Sequence, residues 1–169
     1  GRKASCDLPW NGGAQFAADH EQGWPVVGPA EVAYADGWQT PEALDDGGLA
    51  RVKKAFVDAT KRCARIGYDV IELHMAHGYL LQQFLSPISN PRTDSYGGSL
   101  ENRMRFPLEV FDVVRAAWPD ELPPGVRISS IDWVEGGRSM EASIAFAESP
   151  RSQDCDFIDC SSGGNSPLQ

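Results

Sequence analysis

Between residues 49 and 66 the apolar positions Leu49, Val52, Phe56, Ala59, Cys63 and Ile66 fall three or four residues apart. That spacing puts them on one stripe of a helix, and Gly67 is suited to close its last turn. The pattern then changes to a short β-branched run, Asp69-Val70-Ile71-Glu72-Leu73, bounded by Gly67 and Gly78, and predicts a strand. After a loop ending in Tyr96-Gly97-Gly98, Ser99 is positioned to cap a second helix with an apolar face of Phe106, Val110, Val113, Val114 and Ala117. Pro107 should kink that helix and Pro119 should close it. Residues 125–129 and 156–160 read as two further strands, and residues 140–148 between them carry a short helical pattern.

The order is therefore loop, helix, strand, helix, strand, helix, strand. Strict alternation of this kind implies right-handed βαβ units, a parallel sheet and helices packed outside it. The expected fold class is α/β, as part of a TIM (β/α)8 barrel. Residues 1–169 form a single domain, in which 4–42 are a long irregular loop rich in Gly, Pro, Asp and Trp, and 43–169 hold the alternating units. Three strands cannot close a barrel, and bare parallel edges leave backbone groups unpaired. The chain opens at Gly1-Arg2-Lys3 and stops straight after a strand-like run, so an internal piece of a longer barrel is the expectation. Two segments should weaken their helices: Asp45-Asp46-Gly47-Gly48 at a start, and Ser149-Pro150-Arg151-Ser152 at an end.

Charge narrows the partner. Fifteen Lys and Arg against 24 Asp and Glu give a net charge of −9, so no field draws the chain onto nucleic acid or an anionic membrane surface. A small organic molecule is the expected partner. No run approaches the ~18 to 20 apolar residues of a membrane span, and no secretory leader pattern opens the chain. Cys6, Cys63, Cys155 and Cys160 form neither a C-x-x-C pair nor a zinc-finger spacing, which fits reduced thiols in a cytoplasm.

In parallel α/β folds, ligands bind beyond the carboxyl ends of the strands. The polar residues there are His74, His77 and Tyr79 after the first strand, 127–132 on and after the second, and 161–165 after the third. Imidazoles can donate hydrogen bonds to a carbonyl or nitro oxygen, and a phenol can deliver a proton. The plainer alternative is a histidine pair that caps the strand end. A metal is disfavoured, because residues three apart on a strand do not share a face and no carboxylate or cysteine stands beside them; no metal is expected. Arg127 interrupts an apolar strand and needs an anion or acceptor, for which Glu72 and Asp132 are candidates alongside a ligand. Gly163-Gly164 reads as a turn or a phosphate-friendly loop. Trp10, Trp24 and Trp38 could wall a pocket or pack as core or lid, and Lys53, Lys54, Lys61, Arg62 and Arg65 read as a solvated helix face.

One run is long enough to carry a resemblance. HMAHGYLLQQFLSPISNPRTDSYGGSLENRMRFPLEVF, from position 74 to 111, resembles the most distinctive segment of the Old Yellow Enzyme family of NAD(P)H:flavin oxidoreductases. Gly1-Arg2-Lys3-Ala4-Ser5 is similar to the segment ending that family's third barrel strand. Pro9-Trp10 and Gly23-Trp24 are similar to its xenobiotic-reductase branch, VRISSIDW to the fifth strand, and DFIDCSSGGNSP to the sixth.

The resemblance implies a partial (β/α)8 barrel running from the end of strand 3 through strand 6. It implies FMN as cofactor, NAD(P)H as reductant, and hydride transfer to the activated C=C of α,β-unsaturated carbonyl or nitro compounds. Carried over by position, His74 and His77 bind the substrate oxygen, Tyr79 binds substrate and is the catalytic proton donor, and Arg127 contacts the cofactor. Asp94, Tyr96, Glu101, Asn102 and Arg103 read as mainly structural. A homo-oligomeric parent protein is a further implication. The flavin-ring glutamine and the phosphate-binding strands of the family lie outside these residues, so the alternative is a catalytically silent, truncated barrel without bound flavin.

Overall fold

A computed structural model describes residues 1–151 and 154–168 of the chain. The long loop contains one 3-10 turn, Pro9–Asn11, and the first of two short paired strands, β1 (Val27–Gly28) and β2 (Glu42–Ala43), which run parallel. Helix α1 (Asp46–Ile66) follows, then β3 (Ile71–Met75), α2 (Leu80–Leu85), α3 (Leu100–Arg115), β4 (Pro124–Ser129), α4 (Met140–Arg151) and β5 (Phe157–Ser161). Strands β3, β4 and β5 form one parallel sheet in that order.

Helix α1 begins within the Gly-Gly stretch because Asp45 caps it, its carboxylate accepting from the Gly48 N–H at 2.7 Å. Gly67, at φ 83°, closes it and donates to the Ala64 carbonyl. Only the first half of its apolar stripe is covered. Leu49 is buried and Val52 and Phe56 pack against the core, whereas Ile66 is exposed. Lys53 departs from the expected solvated face: its ammonium reaches Glu109 of α3 at 2.9 Å.

Helix α3 is capped by Ser99, whose hydroxyl accepts from Asn102 N–H, and continues through the buried Pro107 to Arg115. Helix α4 runs to Arg151, past the Glu148 end expected from pattern, with Pro150 in its last turn; Ser152 lies outside the described residues. Helix α2 replaces part of the expected loop. Its sequence, LLQQFL, is too short for a helical period to show, and Leu81 to Leu85 are all buried.

The strands start one or two residues from their expected positions, and β3 is displaced most, so His74 is a strand residue rather than one that follows the strand. The side chains that point toward the helices, Leu73, Met75, Val126 and Ile128, are buried against Phe84, Phe106, Val110 and Phe146. Phe84 and Phe106 meet at 4.5 Å between ring centroids at the centre of that layer.

Arginines order the connecting segments by donating to backbone carbonyls. Arg92 reaches Pro29 and Leu44, each at 2.8 Å, and so ties β1 and β2 to the loop before α3; Arg103 reaches Leu85. Asn90 donates to Phe84 and Tyr96 carbonyls.

Removing the Phe106 ring should leave a void between α3, α2 and the sheet. Phe106→Ala is expected to lower unfolding stability by about 3–5 kcal/mol, read from the urea midpoint at an unchanged slope.

Candidate active site

Register decides which side chains meet. His74 pairs with Arg127, and Arg127 pairs with Asp159, so the three lie side by side across β3, β4 and β5 on the face away from the helices. One level below, Glu72, Gly125 and Phe157 share that face.

Beyond β3 the chain makes a left-handed turn. His77 has φ 55° and Gly78 φ 71°, and Tyr79 then caps α2. In a continued strand, His74 and His77 would point to opposite faces, which is the argument the sequence offers against a shared metal. The turn undoes it. The ring centroids of His74 and His77 stand 5.0 Å apart, and those of His74 and Tyr79 5.4 Å apart. Among the described residues no three His, Cys, Asp or Glu side chains gather as metal ligands.

The turn at His77 is held on every side. Its N–H donates to Ser129 Oγ at 2.9 Å, its carbonyl accepts from Lys3 Nζ at 2.8 Å, and its Nε2 stands 2.6 Å from Ser161 Oγ. Ser129 donates in turn to the Gly163 carbonyl. Gly164, at φ 91°, lies directly against His77, where a Cβ would stand 2.4 Å from the His77 carbonyl carbon. The glycine pair after the third strand is thus a close-packing device for the histidine turn. Below it, Gln82 accepts from Gly78 N–H and donates to Asp132 at 2.7 Å.

Arg127 does not pair with Glu72 or Asp132. Asp132 is fully buried and accepts instead from Gln82, Ser86 and the Arg138 N–H. The partner is Asp159, with Oδ2 3.3 Å from Arg127 Nε. That approach allows charge attraction, but its alignment is poor for a hydrogen bond, and Nε is buried without an acceptor. The guanidinium and the carboxylate remain about two-fifths exposed, so the pair itself adds little stability.

Burial holds the His74 imidazole below the ordinary histidine pKa, reinforced by His77 and Arg127. Burial likewise lowers His77, with Arg127 and Lys3 acting the same way and Asp159 opposing them. Both rings are therefore neutral near pH 7 and retain one N–H donor each. Burial raises the Glu72 carboxyl, and Asp159 raises it further. The Tyr79 side of the cluster is open, with that residue 47% exposed.

Of the residues expected at the site, His74, His77 and Tyr79 come together, and Arg127 joins them through the strand register. Lys3, Asp159 and the serine pair Ser129 and Ser161 stood out less in the sequence. Asp159 comes beside Arg127 through a strand register that the sequence leaves open, and Lys3 arrives from a distant segment without local signal. Trp10 and Trp24 are exposed; Trp38 packs edge-on against Tyr34.

The fold is a parallel α/β sheet, consistent with a partial (β/α)8 barrel, that carries a His/His/Tyr cluster and an arginine at its carboxyl end. The model of the NADH:flavin oxidoreductase / NADH oxidase family matches residues 3–165, and the chain belongs to that family. It is 42% identical to an NADH:flavin oxidoreductase of Gibberella zeae, over 99% of this chain and 44% of that protein. It is 41% identical to an NADPH dehydrogenase of Halalkalibacterium halodurans, over 99% of this chain and 47% of that protein. Among solved structures it is similar to the old yellow enzyme homologue from Zymomonas mobilis, with a TM-score of 0.71 and 26% identity, over 82% of this chain and 42% of that one. The chain therefore spans a little under half the length of these relatives.

Two outcomes follow from this geometry. Asp159→Asn removes the carboxylate that draws the His77 pKa upward, so NMR titration of the ring should show a lower value than in the unsubstituted chain. Gly164→Ala introduces both a positive-φ side chain and a backbone clash, and should lower unfolding stability by about 2 kcal/mol or more in denaturant titration.

Proposed function

We propose that these residues are the substrate side of the active site in an FMN-dependent, NAD(P)H-using ene-reductase. The observation that carries the reading is the convergence of a second neutral imidazole and an open phenol on His74, at 5.0 and 5.4 Å between ring centroids, beside Arg127 across the strand register. The names of the similar proteins, an NADPH dehydrogenase and an NADH:flavin oxidoreductase, support the reductant and the flavin.

The residues present fit part of a flavin. Arg127 Nε is a buried cationic donor lacking an acceptor, and it suits the electron-rich N1 and C2-carbonyl edge of an isoalloxazine. When bound, FMN supplies the hydride that reaches the β-carbon of an α,β-unsaturated carbonyl or nitro compound. His74 and His77 donate hydrogen bonds to the substrate's oxygen and draw electron density toward it, which opens the β-carbon to attack. Tyr79 delivers the proton to the α-carbon from its open position at the mouth. Ser161 orients the His77 ring, and Arg127 offers charge to the cofactor edge. The fully buried Asp132, fixed by Gln82, Ser86 and Arg138, keeps the turn that presents these groups from shifting.

The test is stopped-flow absorbance of the FMN-loaded protein carrying this chain. Tyr79→Phe should slow reoxidation of the flavin by an enone about 100-fold and leave its reduction by NADPH within about twofold. A protein that takes up no flavin, or equal losses in both half-reactions, refutes the assignment.

A second reading applies to the 169-residue chain on its own. The outer edges of β3 and β5 have no neighbouring strand among the described residues, which favours a silent, flavin-free piece. Gel filtration with flavin absorbance separates the two: this form would be colourless and self-associating.

A further inference from the structure

Lys3 stands just before the long loop, far from the histidine cluster in sequence, yet its ammonium reaches the turn. It donates to the His77 carbonyl at 2.8 Å and to the Gly164 carbonyl at 2.7 Å. The first belongs to the loop after β3 and the second to the loop after β5, so one cation joins the two segments that interlock through Gly78 and Gly164. The same ammonium lies 5.0 Å from the ring centroids of both Tyr79 and Tyr34.

A left-handed backbone is uncommon for a residue with a side chain and persists only where the surroundings impose it. At His77 the N–H is held by Ser129 and the ring by Ser161; the carbonyl is held by Lys3 alone among the described residues. A lysine is suited to this work because a compact ammonium offers several donors to converging carbonyl oxygens and tolerates a flanking aromatic face.

We propose that Lys3 is a positioning residue for this site. By tying the His77 and Gly164 carbonyls together and lying against the Tyr79 ring, it fixes the imidazole and the phenol in one orientation toward the substrate. This rests on the ene-reductase reading for the meaning of "substrate", but the coupling between Lys3 and His77 is a property of the protein without its cofactor. The charged or titratable groups facing His77 are His74 from β3, Arg127 from β4, Asp159 from β5 and Lys3 from the segment before the long loop. Lys3 is a like charge to protonated His77, so its removal acts in a definite direction.

The experiment is NMR titration of the His77 ring in the flavin-free protein that carries this chain, compared with Lys3→Met and Lys3→Arg. Lys3→Met should raise the His77 pKa and broaden its ring resonances, and Lys3→Arg should restore most of the original behaviour. If His77 titrates alike in all three proteins, the proposal is overturned. Should Lys3→Met fail to fold, amine acylation of the unsubstituted chain decides: Lys3 should react at least tenfold more slowly than the exposed Lys54 and Lys61, and equal rates overturn it. Failure of flavin uptake would remove the ene-reductase reading and leave both measurements standing.

Discussion

The left-handed turn at His77 is the constraint on which the site depends. Two residues separate His74 from His77, and an extended backbone would send them to opposite sides of the sheet. Positive φ angles at His77 and Gly78 bring the two rings together and turn the chain into α2, with Tyr79 at its start. The conformation is unfavourable for an isolated histidine. It survives because Ser129, Ser161 and Lys3 bind its polar atoms and Gly164 fits against its backbone without a side chain to obstruct it.

Those partners come from three other places in the chain, and polar burial brings them together. Asp132, Gln82 and Ser86 form a fully buried array under the turn, in which the carboxylate accepts hydrogen bonds from three directions. Hydrogen bonds to a charged group stabilise by roughly 1.5–3 kcal/mol each, and leaving such a group unpaired carries a larger penalty. The array therefore specifies one loop arrangement more sharply than apolar packing would. Arg2 does the same at the edge of the site, donating to the Asn165 carbonyl and side chain and to the Ala33 carbonyl. A loop without hydrophobic periodicity is held in place in this way through its backbone oxygens.

The two faces of the sheet have different tasks. Leu73, Met75, Val126 and Ile128 seal against the helices, and the opposite face carries Glu72, His74, Arg127 and Asp159. Burial is the main cause of the lowered His74 and His77 pKa values and the raised Glu72 pKa; Arg127 adds to the lowering of both imidazoles, and Asp159 adds to the raising of Glu72. The electrostatics of the candidate site are thus a consequence of strand register, and a slip of one residue would send these groups into the apolar layer.

Much of this was legible in the chain itself. The stripe of α1, the Ser99 cap, the Gly67 stop and the three strand-like runs specify their elements through local spacing and backbone chemistry, and alternation alone implies a parallel α/β sheet. The cluster of His74, His77 and Tyr79 was visible for the same reason: its members are neighbours in sequence. Helix α2 was not, because six residues carry no readable period, and its stability comes from burial of both faces. The partner of Arg127 was also beyond reach, since Glu72, Asp132 and Asp159 are equivalent acids until register sets Asp159 beside it and burial withdraws Asp132. Lys3 and Gly164 join His77 across separations of 74 and 87 residues, for which no local pattern exists. Local spacing determines which elements form and which faces are apolar; only the packed sheet decides which polar groups share a surface, because that depends on register and on the left-handed backbone at His77 and Gly78.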